Sequence, residues 1–367
     1  MAFLYFSAFL FSFLVSLFFQ KKIILFSKQK NLVDRVDERK IDKPPRPRLG
    51  GIGIFAGFAF SFLIISFILP FFDGNIEIKF EFNKVYMYLL TIFIIFLIGI
   101  LDDLVGLTAY QKLPFEILAA FIISFNGFLV DKVSLPFPPF EIAFGRIMAI
   151  CLTICWIVAI TNAMNLIDGI DGLAGSIAVI SGLSFFLINL VNKHQEFSIL
   201  VLSMIGAVVA FLFYNFPPSK IYMGDSGSLF IGFLLATLSL KSSTKAAFGI
   251  SFVVPITILF IPILDTTLSF FRRILKGKNP FKADKEHLHH KLIEKGFSEK
   301  NTLFILSGLT IFFSLIGVFS VFVNKKLRLF LFLITLIIGL SIILFSGYIK
   351  IDILLKKITA SNKGDYD

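Results

Sequence analysis

Four short stretches of this 367-residue chain set acids, amides, histidines and glycines into otherwise apolar sequence: LDDLVGL (101–107), NAMNLIDGIDGLAG (162–175), MGDSGSLFIG (223–232) and ADKEHLHHKL (283–292). Carboxylates suit a hard divalent cation such as Mg²⁺, while amides suit a sugar hydroxyl, a phosphate or an outer-sphere role. Asp102 and Asp103 are adjacent at the end of an apolar run. Two like charges there suggest a compensating cation or a solvated cap, and the negative end of the helix dipole weakens the second. Asn162, Asn165, Asp168 and Asp171 recur every third residue. Each such step turns an ideal helix by about 300°, so Asn162 and Asp171 end on opposite sides. Either the polar stripe spirals, or Gly169 and Gly172 let the chain leave the helix so that Asp168 and Asp171 turn back toward one centre.

Asp225 lies between two glycines at the start of another apolar run. Amides at such a start meet phosphate oxygens, and a carboxylate among them then calls for a metal; a plain helix N-cap fits the same residues. His287, His289 and His290 follow Arg272, Arg273, Lys276, Lys278, Lys282 and Lys285. A zinc site is disfavoured by the tight histidine spacing and the lack of another ligand type, whereas guanidinium and imidazole groups together suit phosphate. Arg46 and Arg48, held among prolines in KPPRPR, either meet a lipid phosphate or anchor a helix, and Lys112 closes the acidic segment 102–112.

The elements that must position these residues are membrane helices. The chain is 57% hydrophobic with mean hydropathy +0.89, too apolar for an ordinary soluble domain. Apolar runs near the length needed to cross hydrocarbon fall at 2–19, 50–70, 85–101, 114–130, 147–164, 173–192, 198–214, 228–240, 246–271, 303–323 and 329–348. The expected fold is therefore an all-α polytopic membrane bundle of about eleven spans, or ten if the short run at 228–240 does not cross. The first run lacks a basic leader and a small-residue cleavage site, so it reads as a retained helix. Pro255 and Pro262 predict a kinked or broken ninth helix. Gly53 and Gly57 read as helix packing, and Cys151 and Cys155 as buried thiols.

Lys and Arg concentrate in 21–48 and 272–302, which places those segments in the cytoplasm, the N-terminus outside and the C-terminus inside. Net charge +11 thus reads as topology and attraction to anionic lipid, not nucleic-acid binding. With no linker and no internal repeat, residues 1–367 form one domain. Its chemistry-bearing segments, 21–48, 102–112, 162–172, 215–228 and 272–302, all reach one membrane face. Acids suited to a metal, a phosphate-sized basic cluster and a surrounding membrane point to phosphoryl transfer between a soluble nucleotide and a lipid.

In their order and form, LDDLVGL, NAMNLIDGIDGLAG, MGDSGSLFIG and ADKEHLHHKL resemble the motifs of the polyprenyl-phosphate N-acetylhexosamine-1-phosphate transferases (glycosyltransferase family 4). The IDGIDGLAG form and the RRILKGKNPFKADKEHLHHKL segment are closer to the WecA/TagO-like branch than to the peptidoglycan enzyme MraY. The resemblance implies transfer of a sugar 1-phosphate from a UDP-N-acetylhexosamine, UDP-GlcNAc foremost, to undecaprenyl phosphate in the plasma membrane, with Mg²⁺ or Mn²⁺ and release of UMP. It assigns the metal to Asp225 with Asp168, and catalytic roles to Asp102, Asp103, Asp168 and Asp171. Substrate contacts fall on Asn162, Asn165, Arg273, His287, His289, His290, Arg46, Arg48 and Lys112. A homodimer is compatible with it. The alternatives are the peptidoglycan branch and, outside enzymes, a lipid-linked sugar transporter.

Overall fold

A computed structural model describes residues 1–30, 46–68, 82–134, 141–243, 252–277 and 287–347. The basic residues Lys278, Lys282 and Lys285, much of 21–48 and the C-terminal residues 348–367 lie outside the described residues. The helices are α1 (Ala2–Gln29), α2 (Gly50–Ile68), α3 (Phe82–Val105), α4 (Ala109–Ser124), α5 (Arg146–Ile167), α6 (Leu173–Val191), α7 (Gln195–Asn215), α8 (Asp225–Ser243), α9 (Val253–Ile258), α10 (Phe260–Leu275), α11 (Leu288–Glu294), α12 (Glu299–Phe322) and α13 (Lys325–Ser346). A small antiparallel hairpin, β1 (Lys132–Ser134) and β2 (Glu141–Ala143), joins α4 to α5 with Val133 opposite Ile142.

Among the described residues each expected span falls on helix, except that the run at 114–130 leaves it after Ser124; residues 246–251 of the ninth lie outside the described residues. Among the described residues eight helices, α1, α2, α3, α5, α6, α7, α12 and α13, are long and apolar enough to cross a membrane. The short eighth run gains length by starting at Asp225. The ninth is broken: α9 stops at Ile258 and α10 starts at Phe260. Pro262 explains the place of the break, since it has no N–H for the Ile258 carbonyl four residues back and its ring crowds that turn.

The bundle is built around α8. Leu229, Phe230, Ile231, Phe233, Leu234, Leu235, Ala236 and Leu238 are all buried, as expected of a helix that is apolar all round. The helices α2, α3, α5, α6, α7 and α9 pack against it. α1 docks on α2 and α7 through small and hydroxyl residues: a Cβ at Gly57 would lie 2.6 Å from the Ser12 carbonyl, and one at Gly53 would lie 2.5 Å from the Gln20 amide. Gly53 and Gly57 are thus packing residues. Ser16 Oγ donates to the Ala207 carbonyl at 2.9 Å, and Gln20 Nε2 to that of Gly50 at 2.8 Å. Cys151 and Cys155 depart from expectation, being exposed. Their spacing of four sets both on one face of α5, and that face points out of the bundle.

Candidate active site

The end of α3, the starts of α4, α6 and α8, the end of α5 and the short α11 meet at one end of the bundle. Asp102 and Asp103, adjacent in sequence, turn to different partners there. Asp103 Oδ1 accepts from the Asp225 N–H at 2.7 Å and Oδ2 from the Ser226 N–H at 3.0 Å. A carboxylate on α3 therefore caps α8, matching the positive end of that helix. The pair avoids mutual repulsion by this division of labour, and Asp103, expected as a catalytic acid, is occupied as a cap.

That cap frees Asp225 itself. Its Oδ2 lies 2.5 Å from Lys112 Nζ, which also donates to Asp102 Oδ2 at 2.6 Å. All three side chains are largely buried. Behind them Gly224 takes φ +74°, and a Cβ there would lie 2.0 Å from the Arg48 carbonyl and 2.6 Å from Asp103 Oδ1. Tyr222 N–H donates to the Pro47 carbonyl at 2.8 Å, and Gly51 N–H to that of Met223 at 2.8 Å. The proline-rich entry to α2 is thereby held along the loop before α8, which brings Arg46 and Arg48 to the site.

The stripe of four resolves into a helix end and a turn. Helix α5 stops at Ile167, and Gly172, at φ +80°, starts α6. Of the two glycines expected to bend the chain, only Gly172 has a positive φ. Gly169 supplies room instead: a Cβ on it would sit 2.1 Å from His289 Nε2. Asn162 turns away to α4, its amide donating to Glu116 Oε2 and, at 2.9 Å, to the Val158 carbonyl. Asn165 donates to Ser228 Oγ at 2.8 Å, tying α5 to α8. Asp171, expected as a catalytic acid, accepts from Arg46 Nη1 and the Ser219 N–H, each at 3.0 Å. Arg46 also donates to Ser219 Oγ at 2.7 Å. This buried pair shapes the loop, and Arg46 Nε is left without a hydrogen-bond partner among the described residues.

A cavity of about 540 Å³ lies between these elements, lined by Arg48, Asn165, Asp168, Gly169, Ile170, Asp171, Asn215, Tyr222, Gly224, Asp225, His290, Ile293 and Glu299. Its acidic and basic groups face the same space. Burial first, and then the negative charge of Asp225, push the Asp168 carboxyl well above its ordinary pKa, with Arg48 opposing. Placing a divalent cation between Asp168 and Asp225 would relieve that repulsion, so the donor set fits Mg²⁺ or Mn²⁺. Among the described residues no three His, Cys, Asp or Glu side chains converge as a ready metal cage, so a cation there would draw its remaining ligands from water and substrate.

The histidines divide similarly. His287 Nδ1 lies 2.9 Å from Asp265 Oδ2, and the Leu288 N–H donates to Asp265 Oδ1 at 2.6 Å. Asp265 on α10 thus fastens the start of α11. His289 is buried, with its ring nitrogens unpartnered among the described residues. It stacks on His287 at 5.8 Å and meets His290 at 4.2 Å between ring centres. Only His290 reaches the cavity wall. Arg273, in the last turn of α10, is buried and is not part of that wall. Glu116 and Asp265 were not singled out in the sequence, and Asn215 and Tyr222 lay in the chemistry-bearing segment 215–228 without a role of their own. Asn215 carried a signal: it precedes the segment FPPSKIYMGD, and its side chain accepts from the Gly172 N–H at 2.8 Å.

Burial holds the His289 pKa down to about 3, aided by His290. The folded protein then resists a proton that the unfolded chain accepts below about 6.5. This contribution to stability is present above that value and lost as pH falls toward 3, about 2 kcal/mol by pH 5. Thermal melts of detergent-solubilised protein should decline between pH 7 and 5, and His289→Phe should flatten that decline. Parallel pH profiles for both proteins would remove His289 as its source.

A family model described as "Glycosyl transferase family 4" matches residues 85–243. The chain is 37% identical over 312 residues to a probable undecaprenyl-phosphate N-acetylglucosaminyl 1-phosphate transferase of Bacillus subtilis (strain 168), covering 83% of this chain and 82% of that protein. It is 28% identical over 336 residues to the undecaprenyl-phosphate alpha-N-acetylglucosaminyl 1-phosphate transferase of Escherichia coli (strain K12), covering 89% and 87%. It is also 30% identical over 289 residues to a decaprenyl-phosphate N-acetylglucosaminephosphotransferase of Mycolicibacterium smegmatis, covering 73% and 70%.

Proposed function

Because the chain belongs to glycosyl transferase family 4, we propose that it transfers N-acetylglucosamine 1-phosphate from UDP-GlcNAc to undecaprenyl phosphate, releasing UMP. This is the first membrane step in building a cell-envelope polysaccharide. The observation that carries the reading is the Asp102–Lys112–Asp225 cluster beside a cavity of about 540 Å³ that Arg48 and His290 also line. That volume lies within the range of small-molecule sites, and its mixed charges suit a pyrophosphate. The acids gather at one end of the bundle, which favours an enzyme over a transporter with a polar path. Arg46, Arg48, Arg272 and Arg273 lie at that same end, which supports placing it at the cytoplasmic face of the plasma membrane.

In the reaction an oxygen of the lipid phosphate attacks the sugar-bearing phosphorus of the donor, and the bond from that phosphorus to UMP breaks. Asp225 and Asp168 would hold Mg²⁺, or Mn²⁺ in its place, which when bound supplies neutralising charge to the leaving phosphate. Arg48 and His290 donate to phosphate oxygens from the cavity wall. Asp102, held by Lys112, orients the lipid phosphate. A phosphate monoester has a second pKa near 6 and is already largely dianionic at pH 7, so Asp102 need not remove a proton. Direct transfer follows, with no phosphorylated aspartate.

Purified protein in lipid nanodiscs, offered undecaprenyl phosphate and either UDP-GlcNAc or UDP-MurNAc-pentapeptide, should release UMP only from the first. Turnover of the muramyl donor would move the chain to the peptidoglycan branch, and no UMP from either would overturn the reading.

A further inference from the structure

Lys112 stands where charge must change when a cation arrives. Its Nζ lies 2.5 Å from Asp225 Oδ2, and an ammonium cannot stay on a carboxylate oxygen that turns to a divalent ion. The ammonium keeps Asp102 Oδ2 at 2.6 Å, but at 12% exposed it has little water to replace the lost Asp225 charge, and its flexible stem favours a further partner nearby. Such a partner lies one helical turn on. Glu116 sits four residues after Lys112 on α4, hence on the same face at about 5–6 Å between Cβ atoms, and is 2% exposed. Its Oε2 accepts from the Asn162 amide. Among the described residues its Oε1 has no hydrogen-bond partner, so a buried carboxylate is served by one neutral group. A carboxylate so placed favours a cation within reach.

We propose that Glu116 is a positioning residue, the counter-ion that receives the Lys112 ammonium when a divalent cation takes Asp225. Moving the ammonium to Glu116 limits the gain in charge beside Asp102 and Asp225 to one unit rather than two, and retains Lys112 beside the substrates. Asn162, whose other amide hydrogen is spent on Val158, holds the receiving carboxylate in register. The proposal rests on Asp225 being the cation ligand.

Binding of Mn²⁺ alone, counted by the electron paramagnetic resonance of the free ion, tests it on the full chain in nanodiscs at one pH. Asp225→Asn should lose the site; wild-type affinity in that variant would overturn the metal reading itself. Lys112→Met should bind Mn²⁺ about tenfold tighter, because a competing positive charge is gone. Glu116→Gln should bind about fivefold more weakly, and this loss should vanish in the Lys112→Met background. An unchanged affinity in Glu116→Gln, an equal loss in both backgrounds, or weaker binding in Lys112→Met would overturn the exchange. If Glu116→Gln does not fold, Glu116→Met carries the same expectations in both backgrounds.

Discussion

Asp225→Asn should lower UMP release by at least about a thousandfold, on the order of what loss of a charge-neutralising group costs a transferase, while the protein still folds. The structure separates these two effects. Asp225 begins α8 but does not cap it, because Asp103 takes the Asp225 and Ser226 N–H groups. An amide at residue 225 therefore leaves the helix start intact. Lys112 keeps Asp102 at 2.6 Å, so no charge is stranded. What is lost is the anion facing the cavity. Rates measured across a Mn²⁺ series, beside a thermal melt of the same sample, decide it: near-normal turnover at saturating metal would remove Asp225 from the metal role.

The second large effect is expected of Gly224→Ala. At φ +74° a side chain costs about 1 kcal/mol on any surface, but here the new carbon would also lie 2.0 Å from the Arg48 carbonyl. Relief requires moving backbone on one side and the Asp103 carboxylate on the other. The cap on α8 and the Arg48 wall should both shift, with activity falling about a hundredfold and the melting temperature falling by several degrees. Gly106→Ala is the matched control. It has the same backbone sign at φ +76° with nothing within 4 Å of the added carbon, so only strain is felt and most activity should survive. Equal damage in both variants would mean that conformation, not crowding, makes Gly224 necessary.

Much of the fold was legible because apolar length and proline position act locally. Among the described residues the apolar runs fall largely on helices, eight helices being long and apolar enough to cross a membrane, and the break in the ninth follows from Pro262. The gathering of the polar motifs at one end was also readable, from alternation of the spans. Roles within the cluster were not. Asp103 looks like Asp102 in sequence, yet one meets a helix N-terminus from another element and the other a lysine. Asp171 and Asp168 share a motif and both line the cavity, but only the meeting of Arg46 with the turn, across 125 positions of sequence, marks Asp171 as the one held in an ion pair. His287, His289 and His290 were read as one phosphate cluster; Asp265 holds the first, Gly169 makes room for the second, and only the third reaches the cavity. Each distinction depends on a long-range partner that periodicity does not reveal.

Because α8 is wrapped on every side by other helices, its tip belongs to the least deformable part of the molecule. A thicker or thinner bilayer is met by tilting the helices in contact with lipid, and α13 and the outer face of α1 can tilt without displacing residue 225. The proposed anchoring point for the soluble donor would thus be mechanically insulated from the membrane that delivers the lipid. Turnover should accordingly follow the supply of lipid substrate far more closely than acyl-chain length.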